Sequence, residues 1–466
     1  MPDDHDHTHD EDPEYARKIY LPLDKLDKCA VCAKTQGLKW CVSCGEILYC
    51  SVDCQKKDWK SHKVKCGQTD RIDLTTYYPF IACTVTACHM HPDIQHPALR
   101  HQIVNSPNPY SGDIVDFPNG ISAKLVLLGD KIAMEEFASP KWWPTAESPK
   151  VRSKLMRRIV NEGLLLPILL ATTIALVSEI YTTSAIPPGQ PLWYQLTDRR
   201  RVRLSYNKSP IVDFGIAKGT SIRVTAQDRL AYYNLETNEF LMGQDPLDHY
   251  WMYFTTLNGH EYYLDCGMFT FNFCHMVADC EKYCRYGLPP LNYVPAFFYN
   301  QEMEKVMPLD SDKIGWKAKE RFSILRNPDL IKTLKFPQLE YCSHDEHLVC
   351  SLMDKIAGQT CTSWEKKMVM TFLPNTCMIL RLNMQNREYM NFPKEPKVMI
   401  EVDPGEHVAP QTAEEEKEDR AYQQYIKKWT KKLRKGQITS EKWDAAFTKW
   451  RESPHEARMA LAGASK

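Results

Sequence analysis

The residues with the clearest chemical signature lie in the stretch YCSVDCQKKDWKSHKVKC, residues 49–66, and in the twenty residues before it. Two C-x2-C pairs are followed by a C-x3-C pair and an H-x3-C pair. A C-x2-C knuckle in a tight turn brings two thiolates onto one tetrahedral ion, and i, i+4 pairs project from one face of a helix. The string offers eight ligands, which are Cys29, Cys32, Cys41, Cys44, Cys50, Cys54, His62 and Cys66.

Eight ligands of this kind make two closed, four-coordinate zinc sites with no position left for water or substrate, so the predicted sites are structural. A segment of this size has too little apolar sequence to bury seven cysteines by packing alone. Disulfides are disfavoured because the chain opens with MPDDHDHTHDEDPEY, which has neither the basic nor the apolar region of a secretory signal. We therefore expect a reduced, intracellular protein. The spacing alone leaves the grouping open, since sequential and interleaved pairings both give one all-cysteine site and one site with a single histidine.

The eight ligands, together with the YCS at residues 49–51, the CQKKDW at 54–59 and the HKVKC at 62–66, resemble the MYND-type zinc finger. The resemblance implies interleaved ligands, with Cys29, Cys32, Cys50 and Cys54 on one zinc and Cys41, Cys44, His62 and Cys66 on the other. It also implies a protein-binding module that holds short proline-containing peptides as an added strand. Gln55 and Trp59, which match the Cys-Gln-x3-Trp of that family, would then contact the peptide. The alternative for Trp59 is local packing against the helix that carries the ligands.

The charge balance of this segment bears on the class of partner. Residues 25–66 contain nine lysines and four acids, but thiolate ligands leave each zinc site negatively charged and offset most of this excess. No aromatic residues alternate with the lysines to stack on bases. The whole chain has a formal net charge of zero. These observations argue against direct nucleic-acid binding and favour a protein partner.

Residues 75–405 are predicted to form a large α+β domain, or two tightly joined ones, which would serve as a scaffold or as a second binding surface. Strand-like runs occur at 121–128, 376–384 and 397–402, and a long helix is expected at 151–181. That helix contains sixteen consecutive uncharged residues, fewer than the roughly twenty that a membrane span requires. We therefore predict a buried core helix and no membrane insertion.

A second candidate site lies in DHYWMYFTTLNGHEYYLDC, residues 248–266. Asn258-Gly259 between two alternating aromatic runs predicts a β-hairpin of residues 250–256 and 261–266, which would place His249 and Asp265 near its open end. The pair has a vague resemblance to the His and Asp of transglutaminase-like and papain-like sites. The nucleophile of that pattern is missing, because no cysteine lies between Cys88 and Cys266. An enzyme of unrecognised chemistry around His249 and Asp265 remains the alternative hypothesis.

Two other readings are disfavoured. The methyltransferases that carry a MYND finger insert it within a SET domain, whereas 28 residues precede Cys29 here and no Asn-His-Ser-Cys-like segment follows. A third metal cluster is also disfavoured, because the remaining cysteines and histidines lack a C-x2-C knuckle and lie among apolar residues, as small core residues do. Those considered are Cys83, Cys88, His89, His91, Cys266, Cys274, His275, Cys280 and Cys284.

The C-terminal segment has a helical periodicity of apolar and aromatic residues. Apolar residues at 422, 425, 426, 429 and 433, and again at 443, 446, 447 and 450, predict a helical hairpin with an aromatic seam. Its basic run KKWTKKLRK, and the RRRVR of residues 199–203, fit either a nuclear localisation signal or, more simply, solvated surface. Location in the nucleus or the cytoplasm is left open.

The sequence thus predicts a small zinc-stabilised MYND finger, a large α+β domain and a C-terminal helical hairpin. The expected function is zinc binding and recruitment of a protein partner, with two zinc ions as cofactors. The predicted boundaries are 1–24 for an acidic disordered tail, 25–68 for the finger, 75–405 for the large domain and 411–455 for the C-terminal helices.

Overall fold

The computed structural model describes residues 17, 19–20, 23, 27–94, 96–107, 114–133, 136–137, 139–182, 201–285, 287–299, 314–334, 343–401 and 413–461. The chain forms two compact units. One comprises Met1–Tyr299 and Lys313–Val402, and the other comprises Asn300–Asp312 and Asp403–Lys466.

The finger is built from a short β-hairpin followed by one helix. β1 (Lys39–Trp40) pairs antiparallel with β2 (Leu48–Tyr49), and two residues separate β2 from α1 (Val52–His62). Ser51 caps α1, since its hydroxyl accepts a hydrogen bond from the backbone N–H of Cys54 at 3.2 Å.

After the finger the chain alternates between strands and helices. Its further elements are β3 (Thr69–Asp73), α2 (Leu74–His89), β4 (His101–Ile103), β5 (Ile114–Asp116), β6 (Ser122–Lys131), α3 (Pro149–Val160), α4 (Leu165–Ile180), β7 (Arg201–Tyr206), β8 (Ser209–Ile222), β9 (Leu230–Asn234), β10 (Phe240–Met242), β11 (His249–Thr256), β12 (Glu261–Asp265), β13 (His275–Ala278), β14 (Tyr293–Pro295), β15 (Phe297–Tyr299), β16 (Ile314–Ser323), α5 (Pro328–Thr333), α6 (Ser343–Ala357), α7 (Ser363–Gln385) and β17 (Lys397–Ile400).

Besides the hairpin of the finger, the described part of this unit contains three sheets. The largest has seven strands in the order β15-β12-β11-β8-β7-β3, with β16 also paired to β8. Its only parallel pair among the described strands is β3 with β7. A five-stranded sheet runs β10-β9-β6-β4 with β5 on β6, and a three-stranded sheet runs β14-β13-β17. β3 begins at residue 69, three residues after the last predicted zinc ligand and six residues before the start predicted for the large domain at residue 75.

The main core lies between the seven-stranded sheet and the helices α2, α4 and α7. Every residue of α4 is buried, as expected for the uncharged run. β11 is buried on both faces, and its side chains alternate between two clusters. Its Tyr250, Met252 and Phe254 face the helices, while Trp251 and Tyr253 belong to an aromatic cluster on the opposite face. A smaller core packs α3 against β4, β6 and β9 around Trp142 and Trp143.

Two predicted elements are wrong in detail. The run at 376–384 is not a strand but the C-terminal part of the 23-residue helix α7. α7 begins with a capping box between Thr362 and Glu365, and its buried residues recur at helical spacing up to Met384. The helix expected at 151–181 is two helices, α3 and α4, because Gly163 and Leu164 adopt the left-handed conformation between them.

No single helix among the described residues is long and apolar enough to span a membrane; α3 and α4 pass such a test only as a pair bent by 72°.

The predicted N-terminal tail lies largely outside the described residues. Arg17 and Tyr20, which fall within its predicted bounds, contact the end of α4. The Arg17 guanidinium donates to the Ser178 hydroxyl at 2.8 Å, and the Tyr20 hydroxyl donates to the Ile180 carbonyl at 2.8 Å.

The second unit contains three helices, α8 (Ala413–Arg434), α9 (Ser440–Glu452) and α10 (His455–Leu461). Tyr425, Ile426, Trp443 and Trp450 form its buried cluster, as the aromatic periodicity predicts. α10 extends beyond the C-terminal boundary predicted at residue 455.

Candidate metal centre

The first metal centre, site 1, joins the knuckle before β1 to the start of α1. It contains Cys29, Cys32, Cys50 and Cys54. The Sγ atoms of Cys50 and Cys54 are 3.7 Å apart, those of Cys32 and Cys54 are 3.8 Å apart, and those of Cys32 and Cys50 are 3.3 Å apart. The knuckle and the first turn of the helix therefore converge on one point.

The second centre, site 2, joins the β1–β2 turn to the end of α1 and contains Cys41, Cys44, His62 and Cys66. Nε2 of His62 lies 3.4 Å from Sγ of Cys41 and 3.6 Å from Sγ of Cys44. Sγ of Cys41 lies 3.7 Å from Sγ of Cys66. The two groups are those of the interleaved arrangement that the family resemblance implies.

These separations fit tetrahedral zinc. A regular tetrahedron with Zn–S bonds of about 2.3 Å has edges of about 3.8 Å, and an edge between sulfur and a histidine nitrogen is about 3.6 Å. The sulfur and nitrogen positions match those edges to within about half an ångström. Thiolate and imidazole are the ligands that Zn²⁺ prefers, and four protein ligands at each centre leave no open position. The residues present thus fit two structural zinc ions.

The thiols of site 1 are already polarised for metal binding. Burial raises the pKa of Cys29, but hydrogen bonds from the backbone N–H groups of Cys32, Val31 and Cys50 outweigh it and lower the pKa to about 6. The pKa of Cys50 rises to about 12, chiefly because its side chain hydrogen-bonds to Cys32. Zinc binds cysteine as thiolate, so metal binding at site 1 releases the protons that its thiols hold.

Comparison with known families identifies this segment. The family model described as the MYND finger matches residues 29–66. Residues 29–66 are a MYND finger. The match begins and ends on zinc ligands, so the family assignment and the two centres describe the same part of the chain.

The MYND finger also accounts for the similarity to curated proteins. The chain is 49% identical over 50 residues to N-lysine methyltransferase SMYD2-A of Xenopus laevis, which is 10% of this chain and 12% of that protein. It is 46% identical over 56 residues to N-lysine methyltransferase SMYD2 of Sus scrofa, which is 12% and 13% of the two chains. It is 39% identical over 46 residues to histone-lysine N-methyltransferase ASHR1 of Arabidopsis thaliana, which is 10% of each chain.

The chain thus spans about an eighth of the length of these relatives, and the shared region is the MYND finger. No solved structure matches the chain at a significant level.

The MYND finger is fixed to the large domain by a polar contact that sequence reasoning missed. The carboxylate of Glu46 binds the guanidinium groups of Arg201 and Arg203, both on β7. The backbone N–H of Glu46 donates to Sγ of Cys44 at 3.4 Å, so the same residue contacts a ligand of site 2. Arg71 adds a second contact, because it donates to the Ser43 carbonyl at 2.6 Å.

The arginines at 201 and 203 belong to the basic run for which a surface or localisation role was considered. Arg203 is buried, and its guanidinium lies 6.0 Å from the ring of Tyr20 and 5.9 Å from the ring of Tyr181. Its ion pair with Glu46 places Arg203 in the interface with the MYND finger. An isolated Glu between two Cys ligands gives no sequence signal for such a contact, because its partners lie more than 150 residues away.

The predicted partner-binding residues lie on α1. Trp59 is 45% exposed, and its ring makes an edge contact with the His62 ring at 5.9 Å. Gln55 is half-buried one turn before it. Neither residue is a ligand, and the spacing of four places both on one face of α1.

The second candidate site, His249 and Asp265, is closed. Their hairpin forms as expected, with β11 antiparallel to β12, and Nε2 of His249 lies 2.6 Å from Oδ2 of Asp265. Oδ1 of Asp265 accepts hydrogen bonds from the backbone N–H groups of Gly267 and Met268 at 2.8 and 3.1 Å. Both residues are 1% exposed. The pair therefore fixes the end of the hairpin and the turn that follows.

Proposed function

We propose that the MYND finger recruits a protein partner and that the α+β domain is the scaffold that holds the finger in place. The observation that carries this proposal is the exposed Trp59 ring on the finger, beside two closed metal centres. Because each centre uses four protein ligands, zinc here shapes a binding surface and activates no water.

Three large apolar side chains are exposed on or beside α1. Trp59 is 45% exposed on α1, and Val52 and Val64, at either end of that helix, are 64% and 62% exposed. Large aromatic side chains that are partly exposed are frequent anchors in protein interfaces. Gln55, one turn from Trp59, supplies an amide able to donate to and accept from a peptide backbone.

The class of partner that suits these groups is a short proline-containing segment bound as an extended strand. Proline preorganises an extended backbone and packs against aromatic rings, while its carbonyl groups accept hydrogen bonds. The methyltransferase activity named for the relatives is not part of the proposal, since the shared segment covers the finger alone.

Location inside the cell belongs to the same proposal. All sixteen described cysteines are unbridged thiols, and the thiolate ligands of zinc persist where the environment is reducing. The protein is proposed to act in the nucleus or the cytoplasm, where its partner would be met.

The test uses the full-length, zinc-loaded protein and an array of immobilised proline-rich peptides. Wild-type protein should bind a subset of them, and Gln55→Ala should weaken that binding about tenfold while both zinc ions are retained. Lys57→Ala is the matched control. Lys57 is exposed on α1, but it lies two residues after Gln55 and therefore on the other face of the helix.

Trp59→Ala is the second variant, and its zinc content and circular dichroism must accompany the binding data because the ring also packs on His62. Binding by Gln55→Ala equal to that of wild type and of Lys57→Ala would refute the proposed surface. The finger would then serve as a structural cap on the domain.

A further inference from the structure

The ligands of site 1 lie close to the surface of the finger. Cys32 is exposed and Cys50 and Cys54 are half-buried, so that only Cys29 is buried among the four. The residues around Cys32, from 30 to 37, are all exposed as well. Cys32 is therefore the ligand of this centre that a small solute in water meets most readily.

The ligands of site 2 are more deeply placed. Cys41, Cys44 and His62 are buried, and only Cys66 is half-buried among the four. The two centres have almost the same chemistry and lie in the same small module, but they differ in the exposure of their ligands.

Contacts with the large domain hold the knuckle of site 2 in place. Glu46, two residues after the ligand at position 44, forms an ion pair with the buried Arg203. Arg71 donates to the Ser43 carbonyl at 2.6 Å, and the backbone at Gly45 is so close to Arg71 that a Cβ there would lie 3.2 Å from a guanidinium nitrogen. Opening site 2 thus requires that contacts with the domain break first.

The sulfur atoms of site 1 are arranged so that its exposed ligand has a partner. Sγ of Cys32 lies 3.3 Å from Sγ of Cys50, which is closer than the 3.8 Å to Sγ of Cys54. Cys32 belongs to the knuckle, whereas Cys50 lies between β2 and α1. A bond between these two sulfurs would join the two halves of the centre and remove two of its four ligands.

We propose that Cys32 and Cys50 form a redox-sensitive pair, which hydrogen peroxide or another small hydroperoxide oxidises to a disulfide, so that site 1 releases its zinc while site 2 retains its own. The proposal concerns the two zinc centres and does not depend on the function proposed for the finger.

The chemistry requires two steps. The sulfur of Cys32 attacks one peroxide oxygen and the O–O bond breaks, which leaves Cys32 as a sulfenic acid, while the departing hydroxide takes up a proton to become water. The thiolate of Cys50 then attacks the sulfenic sulfur, the S–S bond forms, and the S–O bond breaks as hydroxide leaves and is protonated to a second water. Two thiolates lose two electrons in total, and one peroxide and two protons become two waters. Site 1 then keeps two thiolates, too few to hold a structural zinc ion.

The experiment treats the full-length, zinc-loaded protein with excess hydrogen peroxide and follows zinc release with a colorimetric chelator, with a peroxide-free sample as baseline. One zinc ion per chain should appear at least about tenfold faster than the second, because oxidation of cysteine follows the exposure of its sulfur. At the end of the first phase the remaining thiols are alkylated and the peptides are analysed by mass spectrometry. The expected product is a peptide pair linked through Cys32 and Cys50, with Cys41, Cys44 and Cys66 still reduced.

Two matched variants assign each phase to its centre. Cys32→Ser should keep the zinc of site 2 and release it at the slow rate, whereas Cys44→Ser should keep the zinc of site 1 and release it at the fast rate. The wild-type peptide analysis decides the assignment if either variant loses both ions.

Glu46→Gln tests the protection that the domain gives to site 2. It should speed the slow phase at least about threefold and leave the fast phase unchanged, whereas Glu236→Gln, at an exposed position, should change neither. An unchanged slow phase in Glu46→Gln would overturn the protective role of the domain. The redox pair itself is overturned if the two zinc ions leave the wild-type protein at equal rates, or if the first disulfide joins any other pair of cysteines.

Discussion

Nε of Arg203 lies 2.9 Å from Oε1 of Glu46, so a buried cation of the large domain contacts the loop that carries the ligands of site 2. Arg201 binds the other carboxylate oxygen of Glu46, and the Thr69 hydroxyl is close to the same group. Because β3 follows the finger directly and pairs with β7, the chain connection and this ion pair act at the same interface. The MYND finger is therefore part of the compact unit and not a tethered module.

Replacing Glu46 tests this contact. Glu46→Gln removes the charge that faces two arginines, one of them buried, and should lower the free energy of unfolding by about 2 kcal/mol. Urea denaturation followed by intrinsic fluorescence measures the change, with the exposed Glu236→Gln as control. Equal stability of the two variants would show that Glu46 does not fix the finger to the domain.

Zinc content tests the metal centres. The purified protein should contain two zinc ions per chain, and Cys32→Ser and Cys44→Ser should each retain about one, because each removes a ligand from a different centre. Elemental analysis measures the stoichiometry. After cadmium substitution, NMR couplings should connect Cys29 to the same ion as Cys50, and His62 to the same ion as Cys41. A coupling of Cys29 and Cys41 to one ion would contradict the interleaved arrangement.

His89 should make stability depend on pH. It is buried at the end of α2, and both ring nitrogens lack hydrogen-bond partners among the described residues. Burial lowers its pKa from 6.5 to about 4. The unfolded chain therefore takes up a proton on His89 near pH 6.5, whereas the folded chain does so only near pH 4. The stability contributed by neutral His89 is present in full above pH 6.5 and is lost as the pH falls from 6.5 towards 4.

Between pH 7 and pH 5 the protonation of His89 alone should lower the free energy of unfolding by about 2 kcal/mol. His89→Leu should remove that part of the pH dependence, whereas His347→Gln at an exposed position of α6 should not. Urea denaturation at both pH values supplies the comparison, and an unchanged slope in His89→Leu would rule out a neutral, buried imidazole.

Asp265 is predicted to matter for stability. Asp265→Ala leaves two buried backbone N–H groups and Nε2 of His249 without their acceptor, which should lower the free energy of unfolding by about 3 kcal/mol. Asp245→Ala is the matched control, since Asp245 also accepts from a backbone N–H, that of Leu247, but in an exposed turn. A loss no larger than that of Asp245→Ala would mean that the pair with His249 is not a structural element.

The sequence by itself determined the features that depend on residues close together in the chain. The eight ligands lie within 38 residues at spacings that a knuckle and a helix impose, so the two zinc centres followed from residue types and distances along the chain. The Asn258-Gly259 turn predicted the β11–β12 hairpin because two residues at a tight turn fix which strand positions pair. The uncharged run predicted the burial of α4, since its sixteen residues have no polar face to offer water.

The tertiary structure alone decided what depends on distant contacts. The run at 376–384 has the composition of a strand, but packing against α4 and the capping box at Thr362 make it the end of a helix. Glu46 meets Arg203 only because the fold brings together segments more than 150 residues apart. Periodicity records which face of an element is buried and not which other element covers it, so those pairings could be read only from the folded chain.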